Sequence, residues 1–303
     1  MKNPSLTKIF VVGSINVDFC SVVQSAPKVG ETVLASNFEM GLGGKGANQA
    51  VACAKLGGSV HMIGAVGDDS FGSFTLQQLT SCGINCDGVS ILNTKRTGMA
   101  FVTVCNGDNS IVVAPNANQD LDFLCIKKYL SFGTNSDILV LQLELDLGVV
   151  AKTLEFAKSI GMTTVLNVAP ANIEALELLK FVDICVLNET ECQVMSGVEP
   201  KDEVSVVLAV SRLYQFGASK VVLTLGEQGS VVVQGKVVDF VPAVATNVVD
   251  TTSAGDAFVG AMVTTLIEGG DLVEAAKLGS KVASVAVSRR GASCSIPHLK
   301  DLT

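Results

Sequence analysis

Short β-branched runs alternate with longer amphipathic segments along most of this chain, and that rhythm constrains its fold more than anything else in it. Residues 9–13 (IFVVG) read as a buried strand, 47–56 as a helix stopped by Gly57-Gly58, 60–66 as a strand and 71–82 as a helix ending at Gly83. Residues 138–143, 163–167, 184–187 and 221–225 read as further strands, with helical stretches such as 149–160 and 204–216 between them. Strand and helix alternating at this spacing imply a parallel sheet covered on both faces. Right-handed crossovers then place the loops that follow the strands on one edge, where open α/β sheets bind ligands. Two segments break the rhythm. Residues 17–40 alternate around a Pro27/Gly30 turn, and 97–114 read as a hairpin turning at Asn106-Gly107. They suit a small antiparallel sheet beside the main one.

Composition removes several function classes. Of 303 residues, 48% are hydrophobic and 17% charged, which excludes a disordered chain. No apolar run reaches the roughly 18 residues of a membrane span, and the N-terminal stretch reads as a strand rather than a signal peptide. A net charge of −8 without a Lys/Arg cluster argues against nucleic acid and anionic membranes as partners. The 9 cysteines are scattered, odd in number and form no CxxC pair, which fits buried free thiols in a reducing cytosol. With only His61 and His298, a multi-histidine metal site is excluded and a catalytic histidine disfavoured.

Several motifs can carry chemistry. GLGGKGANQA (41–50) lets the backbone approach a polar ligand, with Lys45 and Asn48 as donors. It also matches GxGxxG at 41, 43 and 46, with Asp68 at the distance of a ribose-binding acid, so a dinucleotide is the competing reading. Its position after an antiparallel segment and the lysine inside it speak against that. It is not a Walker loop, because Glu39 stands where the first glycine is needed and Gly46 where Ser or Thr is. In VVDTTSAGDAF (248–258) a long helix begins near Ala254. The backbone N–H groups of Ser253, Ala254, Gly255 and Asp256 then form an anion site, with Asp256 beside them as a base. The alternative is a carboxylate that merely complements the helix dipole. LNETE (187–191) reads either as an arrangement of Asn188, Glu189 and Glu191 that organises Mg²⁺ through water, or as a helix cap. TLGEQGS (224–230) is a glycine-bearing turn able to take a phosphate, or the start of a hairpin. GSINVD (13–18) offers Asn16 and Asp18, and QLE (142–144) offers Glu144, after strands where sugar hydroxyls can bind.

Taken in order, GSINVD, GGKGANQA, QLE, NETE, TLGEQG and DTTSAGDAF resemble the ribokinase-type family of sugar kinases, the phosphofructokinase-B superfamily, from about residue 9 to about 297. The glycine loop together with GSINVD is similar to the ribose-phosphorylating members rather than to the fructokinase, adenosine kinase or ketodeoxygluconate kinase types. The resemblance implies one α/β domain over 1–303, a doubly wound, mostly parallel sheet flanked by helices. It also implies a small antiparallel β-sheet lid from about 17–40 and 97–114, which clasps a second copy in a homodimer. It implies transfer of the γ-phosphoryl of ATP to the 5-hydroxyl of D-ribose in the cytoplasm, or also the nucleus in a eukaryote, with no nucleic-acid or membrane partner. Asp256 matches the catalytic base, and Ser253, Ala254 and Gly255 the anion hole. Asn16, Asp18, Gly44, Lys45, Asn48 and Glu144 match the sugar positions. Asn188, Thr224, Gly226, Gly229 and Gly255 match nucleotide positions, and Glu191 an acid associated with Mg²⁺. An activating K⁺ is implied near the anion hole, at Asp250, Thr252, Ala286, Arg289, Gly291 and Ser295, with Arg289 contributing its main chain. The chain departs from the family pattern at Ser253, usually glycine, and at Val168, often proline; Ser280 falls where the adenine lies in relatives.

Overall fold

The chain's computed structural model describes residues 7–105 and 108–302. Its strands are β1 (Lys8–Val12), β2 (Asn16–Val23), β3 (Asn37–Gly43), β4 (Ser59–Gly67), β5 (Asn85–Leu92), β6 (Gly98–Cys105), β7 (Asp108–Ala114), β8 (Ile138–Leu141), β9 (Thr163–Asn167), β10 (Ile184–Asn188), β11 (Lys220–Thr224), β12 (Gly229–Gln234) and β13 (Val237–Pro242). The α-helices are α1 (Lys45–Lys55), α2 (Ser70–Ser81), α3 (Phe123–Leu130), α4 (Leu147–Ser159), α5 (Glu189–Ser196), α6 (Glu203–Gln215), α7 (Ala254–Ile267) and α8 (Leu272–Val287).

The larger sheet runs β13-β12-β11-β10-β9-β8-β1-β4-β5, parallel from β11 to β5 and antiparallel at the β12–β13 edge. Alternate residues of β1 enter opposite cores. Ile9 and Val11 pack with α1, α2, α7 and α8, while Phe10 and Val12 pack with α3, α4, α5 and α6. Burial of both faces explains why these strands read as continuous apolar runs. From β1 the chain winds first to β4 and β5, then crosses to β8 and winds the other way. The switch point lies between β1 and β8, so Ser14 and Glu144 leave their strands side by side at the edge where ligands bind.

The second sheet has the order β3-β2-β6-β7. Its outer pairs are antiparallel, as expected, but the central pair β2–β6 is parallel. The reason is connectivity. β2 continues from β1 and β6 from β5, and those two parallel strands deliver the chain to the same edge in the same direction. The span 17–40 is not continuous strand, since an exposed loop separates β2 from β3. The expected turn at Asn106-Gly107 lies outside the described residues. The thiols also differ from expectation. All nine are free, but only Cys53, Cys185 and Cys192 are buried, and Cys294 is exposed. Among the described residues no helix is long and apolar enough to cross a membrane.

Candidate active site

Helices α1 and α7 cross where Gly260 faces Ala52, and a Cβ on Gly260 would overlap the Ala52 methyl. This close approach sets the register one turn further toward both N-termini. There Asn48 Nδ2 donates to Asp256 Oδ2 at 3.0 Å, and Gln49 Nε2 donates to Asp256 Oδ1 at 3.0 Å. Asp256 sits in the first turn of α7 and is 6% exposed. Burial pushes its carboxyl above the usual range, against the opposing pull of Lys45, Asn48 and Gln49, and Glu144 adds to the rise. A carboxylate so held keeps a raised proton affinity in a fixed position, as a general base requires.

Beside it, the N–H groups of Ser253, Gly255 and Asp256 have no hydrogen-bond partner among the described residues. Ala254 corrects the expectation of four free donors. Its N–H donates to the Thr251 carbonyl at 3.2 Å, closing the turn that leads into α7. That turn puts Ser253 at φ 62°, in the left-handed region. Such a conformation costs a non-glycine residue about 1–2 kcal/mol. Ser253 Oγ accepts from Asn48 Nδ2 at 3.0 Å, which offsets part of this cost.

Lys45 opens α1 within the cleft. Burial alone would lower its pKa, but Asp256, Glu144, Glu191 and Asp18 outweigh that and hold its ammonium above the ordinary lysine value. Gly44 has φ 88°, and a Cβ there would meet Asn16 N and Ser14 O at 2.9 Å. Glu144 accepts from the Lys45 N–H at 3.1 Å and from Ser14 Oγ, so it fastens the glycine loop to the end of β1. Asn16 Oδ1 accepts from Asn118 Nδ2 at 2.8 Å, which leaves the Asn16 amide NH₂ as the group it can offer a ligand. Asp18, on β2, packs where Gly43 has no side chain. Burial, with Glu144 and Asp256 nearby, pushes its carboxyl up to about 7 despite Lys45.

The cleft continues past Asp256 for about 930 Å³. Asn188, Thr224, Gly226 and Gly229 line it, together with Ser280 of α8. Asn188 and Glu191 form a reciprocal capping box on α5. The Asn188 side chain accepts from Glu191 N–H and the Glu191 carboxylate from Asn188 N–H, both at 2.8 Å. The cap reading of LNETE is therefore realised, while Glu189 and Glu191 still line the cleft. Thr224 Oγ1 sits 3.5 Å from the Leu187 carbonyl, and Gly226 and Gly229 have φ 51° and 107°.

The expected cation positions are partly brought together. Asp250 accepts from Thr252 N–H and from Gly291 N–H, each at 2.9 Å, and its own N–H donates to the Val287 carbonyl at 3.1 Å. Ala286, at the end of α8, accepts from the Arg289 N–H, and Ser295 is buried with its hydroxyl on the Ala292 carbonyl. The Arg289 guanidinium points to Asp301 at 3.4 Å, which leaves only its main chain for a cation. No group of three or more His, Cys, Asp or Glu that could hold a metal occurs among the described residues.

Sequence reasoning missed Ser14, Gln49, Asn118, Gln142 and Asn167, all buried and all hydrogen-bonded to site residues or to one another. A signal was present. Asn48-Gln49 interrupts an Ala/Val/Cys helix, and Gln142 closes the apolar strand ILVL, so each puts an amide where the pattern demands an apolar side chain.

Comparison with known proteins agrees with this geometry. The pfkB family carbohydrate kinase pattern matches residues 6–299. The chain is 39% identical to a ribokinase of Haemophilus influenzae, covering 95% of this chain and 94% of that one. It is 37% identical to a deoxyribokinase of Salmonella typhi, covering 96% of each. Its fold superposes on an Arabidopsis thaliana ribokinase complexed with ribose and ATP at a TM-score of 0.86, with 30% identity, covering 98% of this chain and 97% of that one.

Proposed function

The chain belongs to the pfkB family of carbohydrate kinases, and on that footing we propose that it phosphorylates D-ribose with ATP at the 5-hydroxyl, giving D-ribose 5-phosphate. The observation that carries this reading is Asp256, buried, held by two amides and flanked by backbone N–H groups with no partner among the described residues, at the head of a long cleft.

Phosphoryl transfer asks a protein for positioning and for charge stabilisation. Asn16, Asp18, Lys45, Asn48 and Glu144 would orient the sugar around Asp256. The 5-hydroxyl proton passes to the Asp256 carboxylate as its oxygen bonds to the γ-phosphorus, while the bond to the β,γ-bridging oxygen breaks and ADP leaves. The free N–H groups of Ser253, Gly255 and Asp256 would take up the charge spreading over the transferring group. Asn188, Thr224, Gly226 and Gly229 would hold the nucleotide. Glu189 and Glu191, which line the cleft, would hold through water the Mg²⁺ that accompanies ATP, and that ion would neutralise phosphate charge. The sheet that carries Asp18 would close over the sugar and exclude water, the competing acceptor. Asp250, with the main chains of Thr252, Ala286, Arg289 and Gly291 and with Ser295, offers oxygen donors that suit K⁺, which would order the loop entering α7.

We further propose a homodimer through the small sheet, on which Phe38, Met40, Phe101 and Val112 are exposed. The nine free thiols support a cytoplasmic location. The near-equal likeness to a deoxyribokinase makes 2-deoxyribose the second acceptor to test.

The test is ATP consumption with D-ribose, 2-deoxyribose, fructose and adenosine, with Mg²⁺, with and without K⁺. Ribose should give the highest kcat/KM, raised by K⁺. A higher value for another acceptor overturns the sugar assignment, and turnover indifferent to K⁺ overturns the cation site.

A further inference from the structure

Gln49 is the second residue that touches Asp256, and it is fully buried within α1. Its Nε2 lies 3.0 Å from Asp256 Oδ1 and 3.0 Å from Asn167 Oδ1, and its Oε1 accepts from Gln142 Nε2 at 2.6 Å. The direction of this chain of amides is dictated by chemistry. An ionised carboxylate only accepts, so Gln49 must turn its NH₂ toward Asp256. Its oxygen then faces away and needs a donor, which Gln142 supplies from the end of β8. The Gln142 oxygen is left buried without a partner among the described residues. Asn48 Oδ1, on the other side chain that holds the base, is likewise buried with no partner among the described residues.

We propose that Gln49 is a positioning residue for phosphoryl transfer, fixing Asp256 through Oδ1 while Gln142 fixes the polarity of the Gln49 amide. This rests on the kinase reading above and deepens it. Asn48 and Gln49 divide the work. Asn48, 5% exposed, holds Oδ2 and also reaches Ser253 of the anion hole. Gln49, withdrawn from solvent, holds Oδ1 and ties the base to Gln142 at the end of β8 and to Asn167 of β9. Asp256 is therefore anchored to the sheet as well as to its own helix.

Loss of the Gln49 amide carries a pH signature. The charged groups facing Asp256 are Lys45 from α1, Glu144 from the loop after β8, Asp18 from β2 and Glu191 from α5. Lys45 alone favours the ionised base among them. Losing the Gln49 N–H removes a further group that favours the ionised form, so the base must take a higher pH to ionise.

The experiment is the pH dependence of ribose-dependent kcat/KM in wild type, Gln49→Met and Gln142→Met, with circular dichroism and thermal melts on each. For Gln49→Met we expect the acid limb to move up by about one pH unit and kcat to fall roughly tenfold or more, with KM for ribose nearly unchanged. Gln142→Met leaves every contact of Asp256 intact and should move the limb in the same direction by less. It also decides the matter if Gln49→Met does not fold. Variants that fold and lose activity equally at all pH values, or keep the wild-type profile, overturn the inference and leave the kinase reading standing. A folded wild type without sugar-dependent turnover overturns both.

Discussion

The two ends of the cleft are built differently. Around Asp256 the wall is made of polar side chains, several of them held by other side chains: Asn16 by Asn118, and Asp256 by Asn48 and Gln49, while Asp18 Oδ1 and Asn48 Oδ1 have no partner among the described residues. Toward Thr224 and Gly229 the wall is turns, a helix cap and backbone, and the adjoining residues 244–249 are exposed. The difference teaches what each end recognises. A sugar offers hydroxyl groups and a ring oxygen but no charge, so its site needs donors and acceptors fixed in number and direction. A phosphate chain carries its own charge and can be met by backbone N–H groups and glycines, which demand little of side-chain identity.

The largest expected effect falls at the first end. Asp256→Asn keeps the shape and removes the base, so kcat should drop roughly 10²–10⁴-fold with KM for ribose little changed. Steady-state kinetics on the variant checks this, and near-wild-type turnover breaks the assignment. Asp18→Asn should act on binding instead, raising KM for ribose about 10–100-fold, as expected for loss of a charged acceptor. It should also act on stability. The Asp18 carboxyl is raised to about 7 in the folded protein. Ionising it therefore opposes folding, and stability present below about pH 4 is lost as pH rises through about 7. Thermal melts of the sugar-free protein should show Asp18→Asn the more stable at pH 8, by at most about 4 kcal/mol, with the gap closing toward pH 4. A variant less stable than wild type at pH 8 contradicts this.

At the nucleotide end the contrast predicts sensitivity to backbone shape. Gly229 has φ 107°, and a Cβ there would strike the Val241 carbonyl. Gly229→Ala should lower stability by roughly 1–3 kcal/mol and raise KM for ATP several-fold, with KM for ribose nearly constant. An equal rise in both KM values would erase the division of labour. The smallest effects belong to Ser253, where the two ends meet. Ser253→Gly relieves the left-handed backbone but loses the Asn48 bond, so stability should move by less than about 1 kcal/mol. Ser253→Ala keeps the backbone cost and loses the bond, and should be the less stable of the two in the same melts.

Legibility in the sequence follows the same division. Glycine loops and the Asp256 turn are local patterns, so GGKGANQA, TLGEQG and DTTSAGDAF are visible as short strings. The parallel sheet was legible because β1, β8, β9, β10 and β11 are apolar on both faces. The parallel β2–β6 pair was not, because its direction depends on where β1 and β5 deliver the chain. Gln49, Gln142 and Asn118 were passed over because their partners lie 93 to 207 residues away, and nothing local records such a bond. Ser253 shows the limit from the other side. The substitution was visible, but the positive φ that gives it a cost was not.

The central claim is that this site moves a phosphoryl group from ATP to a sugar hydroxyl and keeps water out. Phosphorus NMR of a reaction containing ATP, Mg²⁺, K⁺ and D-ribose follows both fates at once. The account predicts a phosphate monoester on the ribose 5-oxygen appearing with ADP in equal amounts, and almost no inorganic phosphate. ADP accompanied by inorganic phosphate, or no reaction from folded protein, would contradict it.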